Sequence, residues 1–273
     1  MQFESEGWAL LPRFLDASGL AELAPAVDRV LALQRPSCMQ RPGNDLVPLR
    51  WNDEIVASVL GAEHLIAAIR DLLRTRQLAW ISGYVSTKEP HSPALWWHQD
   101  WWCWDHPVSY TRPASQIALL CYLGETDEMS GALRLLPGSH HRSVPLHATL
   151  PEAHGGDANA LSSAHPALND DPGQVTVNVR AGDVVIIDYR LLHGTHPNAK
   201  PLRRDCILLS FVPDWGRLPD DIKAHLAMHP ALPTDAERQR SDASSYGGLL
   251  PDYGGTPASL AVNRMAPAAF AAS

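Results

Sequence analysis

Cysteine is scarce in this chain, and basic charge never gathers. The four cysteines, Cys38, Cys103, Cys121 and Cys206, are scattered without a CxxC pair. That scatter excludes a zinc ribbon or a disulfide framework and suits reduced thiols, so a cytoplasmic location is expected. Lysine and arginine number 22 against 30 aspartates and glutamates, a formal net charge of −8. With no basic run, no nucleic acid and no anionic membrane is expected as a partner. No apolar stretch reaches the roughly 18 residues a membrane span needs, and the opening MQFESEGWALLPRF has two glutamates where a secretory leader carries lysines. Charged residues make up 19% and hydrophobic residues 45%, which excludes disorder, collagen and coiled coil and leaves a globular chain with a sizeable core. The expected partner is a small molecule, and nothing indicates an oligomeric state.

Tryptophan and histidine are what the chain has in excess. There are 13 histidines and nine tryptophans, and Trp96, Trp97, Trp101, Trp102 and Trp104 fall in one short segment. Around that segment the chain reads as one domain over 1–273, in three stretches. The first, about 16–74, is a helical overlay. Asp16 or Ser18 caps a helix to about residue 35, with Leu20, Leu23, Val27, Val30 and Leu31 at helical spacing and Pro36 as its stop. A second helical stretch runs over 53–74 with a break at Gly61. From about 78 to 213, short apolar runs bounded by Gly, Pro and Asp predict strands at 78–87, 115–123, 132–136, 174–179, 184–188 and 206–212. A weak helix at 220–228 precedes a tail, 231–273, rich in Gly, Pro, Ala and Ser and expected to wrap the surface. The connection 140–172 has no period and is expected to be a mobile lid facing the tryptophan segment, with a solvated insertion as the alternative. Its histidines, His140, His141, His147, His154 and His165, are read as solvated loop residues.

The chemistry centres on Trp97-His98-Gln99-Asp100. On an extended chain, His98 and Asp100 share one face while Gln99 points away. Two metal-competent groups on one side are two thirds of a 2-His-1-carboxylate iron(II) site, which needs one more imidazole and leaves positions open for a cosubstrate and dioxygen. His193, following the apolar run 184–188 and preceding Gly194 and Thr195, is the better-placed third ligand, and His196 competes with it. Arg203 and Arg204 enter the strand 206–212. A guanidinium heading into a core strand implies an anion to meet it, and a dicarboxylate would do so bidentately. Strand parity alone does not choose between the two arginines.

Several motifs in order make the chain similar to a known family. These are the FxxxGWxLLPxFLDxxxLAEL opening (3–23), Lys88 and Pro90 ahead of WHQD, GALRLLPGSHH (131–141), GDVVIIDYRLLHGTHPN (182–198) and the Arg203–Arg204 pair. They resemble the phytanoyl-CoA dioxygenase (PhyH) family of iron(II)- and 2-oxoglutarate-dependent oxygenases. The resemblance implies a mainly β fold with flanking α-helices, the double-stranded β-helix or jelly-roll, cupin-like barrel. It implies His98, Asp100 and His193 as the iron ligands and Arg204 as the partner of the distal carboxylate of 2-oxoglutarate. Thr195 and Lys88 are implied as cosubstrate contacts, and Trp102 and Trp104 as walls of a substrate pocket to which about half of the five tryptophans belong. The implied reaction is oxidation of a small organic molecule by dioxygen, most simply hydroxylation in secondary metabolism, with release of succinate and carbon dioxide. A carboxylate at Asp100 argues against the related halogenases, which carry a small residue there. Two rivals use the same barrel: a cupin-type metal-dependent isomerase or hydrolase, which has no need for Arg204, and a small-molecule-binding jelly roll without catalysis.

Overall fold

The computed structural model describes residues 2–33, 39–41, 43–240, 246, 248–267 and 270. Cys38, Pro36 and the expected helix end at 35 lie outside the described residues. Among the described residues, no helix is long and apolar enough to cross a membrane.

The chain opens with a short helix α1 (Gln2–Glu6) and strand β1 (Trp8–Leu11), then α2 (Ala17–Ala32). The Asp16 side chain caps α2 by accepting from the Gly19 amide at 2.8 Å, satisfying one of the amides a helix start leaves free. A hairpin of β2 (Met39–Arg41) and β3 (Asn44–Leu49) follows. Helices α3 (Glu54–Gly61) and α4 (Glu63–Leu73) part at Gly61, where the sequence placed the break. The span read as helical therefore contains two strands, and β1 lies ahead of it. These strands are short, and Pro48 interrupts the β signal in β3, so composition did not betray them.

The remaining strands are β4 (Ala79–Lys88), β5 (Leu95–His98), β6 (Ile117–Tyr122), β7 (Leu133–Leu135), β8 (Val175–Val177), β9 (Val184–Asp188), β10 (His193–Thr195) and β11 (Arg204–Val212). They form two antiparallel sheets, one in the order β1-β9-β6-β11-β4-β3-β2 and one in the order β5-β10-β7-β8. Continuous apolar runs in β6, β9 and β11 follow from burial on both faces. On β11, Ile207, Leu209 and Phe211 join Leu23, Val27, Ile55 and Ile69 of the helices in one core. Cys206 faces the other way, into a second core between the sheets with Leu120, Tyr122, Leu133, Leu135, Val185 and Ile187. By this parity Arg204 shares the interior face with Cys206.

The connection 140–172 is not bare. It contains α5 (Gly156–Asn159) and two single helical turns, Pro145–Ala148 and Pro166–Leu168. Ala158 and Ala167 pack on Leu95 and Trp96, and Leu146 packs on Trp97 and Leu192. The Trp97 indole donates to the Asn169 carbonyl at 2.9 Å. The segment that has no period in the sequence is thus anchored by tryptophans of the cluster it was expected to face. Beyond α6 (Asp220–Leu226) and α7 (Asp235–Arg240), the tail returns to the barrel. Trp80 donates its amide to the Leu249 carbonyl (2.7 Å), and Asn263 bonds the backbone of Trp102 and Trp104 at 2.9 and 3.1 Å.

Candidate active site

His98 closes β5 and His193 opens β10, and the two are direct cross-strand partners. Their ring centroids lie 4.2 Å apart. Gly194 permits the close approach of these strands, since a Cβ there would meet the Leu95 and Trp96 carbonyl oxygens at 2.8 and 3.0 Å. Each imidazole is held in the same way. His98 Nδ1 donates to the Trp96 carbonyl (2.9 Å) and His193 Nδ1 to the Leu191 carbonyl (3.0 Å). With Nδ1 protonated and engaged, both Nε2 lone pairs face the cavity, as metal-ligating histidines require. Asp100 lies just past β5, with Oδ1 3.7 Å from His98 Nε2 and Oδ2 3.6 Å from His193 Nε2. His196 is elsewhere, bonded to Thr176 Oγ1 at 2.8 Å.

A fourth group joins them that the sequence reading dismissed. His154, in the connection 140–172, donates from Nε2 to Asp100 Oδ1 at 3.0 Å, and ligand atoms of His98, Asp100 and His154 all lie within 4.8 Å of one another. His154 has a φ of 66°, a left-handed conformation uncommon for residues other than glycine. Its Nδ1 is buried without a partner. The backbone anchors thus leave Nε2 of His98 and His193 free, whereas Nε2 of His154 is engaged with Asp100. Burial would raise the Asp100 carboxyl, but the hydrogen bond from His154 and the nearby His193 and His98 hold it well below the usual range. Burial drives His98 well below its ordinary value, with His193 adding to the effect against Asp100. An ionised carboxylate beside a neutral imidazole is a competent donor set for a divalent cation.

These groups line a cavity of about 420 Å³ that also holds Thr195, Arg204, Tyr122, Trp102, Tyr189, Arg41 and Arg264. Arg204 lies over the Tyr122 ring at 5.7 Å, and its guanidinium makes no hydrogen bond to the described residues. Its Nε and the Tyr122 hydroxyl are both buried and unpartnered. Two orphaned donors at one end of a cavity are what a carboxylate would satisfy, so the residues fit 2-oxoglutarate as they fit the metal. Arg203 is spent at the surface on Asp205 (2.7 Å) and Asp28 (2.9 Å).

Two residues expected at the site do not line this cavity. Lys88 is fully buried but does not line the cavity. It pairs across the strands with Arg204, and its ammonium turns away to donate to the Pro93 carbonyl at 2.6 Å. Trp104 packs on Tyr110 and Phe270, away from the cavity. Of the five clustered tryptophans only Trp102 lines the cavity, where it donates to Gln116 (2.9 Å) and stacks on His225 with centroids 4.4 Å apart. The others are core or hold the 140–172 segment.

The profile of the phytanoyl-CoA dioxygenase (PhyH) family matches residues 3–206. The chain belongs to that family. It is accordingly an iron(II)- and 2-oxoglutarate-dependent dioxygenase of small molecules. L-proline trans-4-hydroxylase of Streptomyces griseoviridis is 24% identical over 225 residues, covering 77% of this chain and 83% of that protein. A protein of Stutzerimonas stutzeri named "Probable alpha-ketoglutarate-dependent hypophosphite dioxygenase" is 27% identical over 158 residues, 58% of this chain and 53% of its own length. Among solved structures, HygX of Streptomyces hygroscopicus with nickel, 2-oxoglutarate and hygromycin B bound superposes with a TM-score of 0.56 at 19% identity, covering 77% of this chain and 84% of that one. That likeness shows the fold, the double-stranded β-helix expected from the sequence.

Proposed function

We propose that this enzyme hydroxylates a metabolite-sized molecule, with His98, Asp100 and His193 holding iron(II) and Arg204 and Thr195 receiving 2-oxoglutarate. The observation that carries the reading is the cross-strand pair His98–His193, each Nδ1 tied to its own strand, with Asp100 between the two Nε2 atoms. Iron(II) with 2-oxoglutarate supplies the oxidising power from dioxygen, yielding succinate and carbon dioxide. The protein's share is placement and exclusion of water. His154 fixes the Asp100 carboxylate, Arg204 orients the cosubstrate, and the Trp102–His225 stack walls the substrate side. Asp100 fills the position a halogenase would leave to a halide, which favours hydroxylation. Ligand pockets run from roughly 300 to 1,000 Å³. At about 420 Å³ this one holds the cosubstrate and a small partner, not a bulky thioester. A metabolic role in the cytoplasm is consistent with the buried thiols of Cys103, Cys121 and Cys206.

The test is succinate formation from 2-oxoglutarate under air with iron(II). Turnover is expected to require all three and to disappear in Arg204→Ala. A protein that holds a metal but neither binds 2-oxoglutarate nor forms succinate favours the isomerase or hydrolase reading. Binding of 2-oxoglutarate with no turnover under any candidate substrate favours the non-catalytic one.

A further inference from the structure

Arg204 is not the only guanidinium facing the cavity. Arg41, the last residue of β2, and Arg264, from the returning tail, line it as well. Both are half-buried, and neither makes a hydrogen bond or ion pair to the described residues. Burial disfavours the charge on Arg41, Asp100 and Tyr84 support it, and Arg264 is close enough to disfavour it further. Two like charges held together in a part-dry cavity cost stability unless something of opposite sign comes between them.

Their placement is built. The β2–β3 hairpin fixes the Arg41 backbone against Asn44. Arg264 follows a residue pinned three times: Asn263 exchanges backbone hydrogen bonds with Trp102 and Trp104, and its side chain donates to Asp105 at 2.7 Å. The tail is tied to the tryptophan segment at the point from which Arg264 reaches inward.

Charge balance leads the same way. The cavity lining carries three guanidinium groups and a single carboxylate, Asp100. A divalent metal and a doubly charged cosubstrate cancel each other, so the loaded site keeps an excess of about two positive charges, and these sit on Arg41 and Arg264. This local sign is opposite to the net −8 of the chain, so it is a property of the cavity and not of overall composition.

We propose that Arg41 and Arg264 form an anion clamp, and that the substrate enters with a carboxylate or equivalent small oxyanion between them. The clamp rests on the dioxygenase reading above and deepens it by naming the substrate class. An anion held there by paired forks would fix one end of the substrate and leave the rest to extend toward His98 and His193.

The probe is inorganic sulfate, titrated into the full chain loaded with nickel(II) and 2-oxoglutarate, with sodium chloride at matched ionic strength as the control. One sulfate is expected to bind. Arg41→Gln and Arg264→Gln should each weaken it at least tenfold, and Arg264→Lys, which keeps charge but loses the fork, should fall between. Affinity for 2-oxoglutarate is measured on the same proteins and should stay within threefold. Sulfate binding unchanged by either glutamine, or absent from the wild type, overturns the clamp. A large loss of 2-oxoglutarate in Arg41→Gln or Arg264→Gln also overturns it, by assigning these arginines to the cosubstrate. Failure of the wild type to bind nickel and 2-oxoglutarate is a failure of the dioxygenase site, and sulfate titrated into the unloaded Arg204→Gln protein then reports on the clamp alone.

Discussion

Replacing Arg204 with methionine should move cosubstrate affinity and stability in opposite directions. Methionine keeps much of the length and apolar stem but offers no charge. A buried charge that meets a carboxylate typically costs about 2–5 kcal/mol when it is removed. That range corresponds to roughly 30- to 4,000-fold weaker 2-oxoglutarate binding. Without cosubstrate the side chain is a liability, because its Nε is buried and unpartnered. An unsatisfied buried donor costs about 1–3 kcal/mol. The Tyr122 ring, at 5.7 Å near the limit of a cation–π contact, returns about 0.5–1 kcal/mol. The net is a more stable unliganded protein, and at roughly 2–4 °C per kcal/mol for a chain of this size the melting temperature should rise by a few degrees. Anaerobic calorimetry on nickel-loaded protein reads the affinity, and a thermal melt without 2-oxoglutarate reads the stability. Arg203→Met is the control. It breaks surface bridges to Asp205 and Asp28, worth about 0–1 kcal/mol each, and should leave 2-oxoglutarate binding untouched. An Arg204→Met protein that binds 2-oxoglutarate within threefold of wild type, or melts several degrees lower without it, would refute the reasoning and make Arg204 structural.

Four further outcomes are expected. His98→Ala and His193→Ala should each abolish iron binding, read as metal content after dialysis, whereas His196→Ala should retain it. His154→Ala should weaken metal affinity by about 10–100-fold, the usual effect of removing a group that orients a ligand, and His154→Gln, which can still donate to Asp100, should recover part of it; an unchanged metal affinity in both would remove His154 from the site. Burial, aided by Arg204 and Arg134, pulls the Lys88 ammonium down to about 7 from its ordinary 10.5. Between those values the unfolded chain holds a proton the folded one lacks, so stability rises with pH there and the full cost of the buried charge is present below about 7. Lys88→Met should flatten that rise, worth at most on the order of 4 kcal/mol, as read from denaturant midpoints at pH 7 and pH 10. Finally, amides in 150–165 should gain hydrogen-exchange protection when nickel and 2-oxoglutarate bind, because His154 carries that segment to Asp100; protection that ignores the ligands would make it a fixed insertion and not a lid.

The strands that the sequence marked most clearly were those buried on both faces, because continuous apolar runs such as 184–188 and 206–212 leave few other readings. The convergence of His98, Asp100 and His193 was legible for a different reason. His98 and Asp100 are close in sequence, and His193 follows a strong strand with a glycine next to it, so local spacing carried their geometry. The hairpin β2–β3 was not legible, since a strand of three residues and one containing Pro48 give no periodic signal. The tryptophan cluster misled in proportion to its prominence. An indole is as useful in holding a connection as in lining a pocket, and Trp96 and Trp97 do the former.

What stayed hidden at the site has a common physical cause. His154, Arg41 and Arg264 all come from segments whose composition is that of ordinary solvated chain; Arg41 is carried by a short hairpin, and the other two reach the cavity through contacts made far away in sequence. Arg264 depends on Asn263 pairing with the backbone of Trp102 and Trp104, some 160 residues earlier. His154 depends on neighbours that bury alanines against Trp96. No local pattern encodes such placements, because the specifying interaction is a backbone hydrogen bond or a methyl contact that almost any sequence could make. The barrel and the His98–Asp100–His193 group lie in or next to strands with a strong local signal, whereas Arg41 and Arg264, which would meet the substrate, sit on a short edge hairpin and on the returning tail. Relatives sharing the first set can therefore differ in the second, and substrate identity should follow residues 41 and 264 more closely than the histidines and aspartate at the metal end of the cavity.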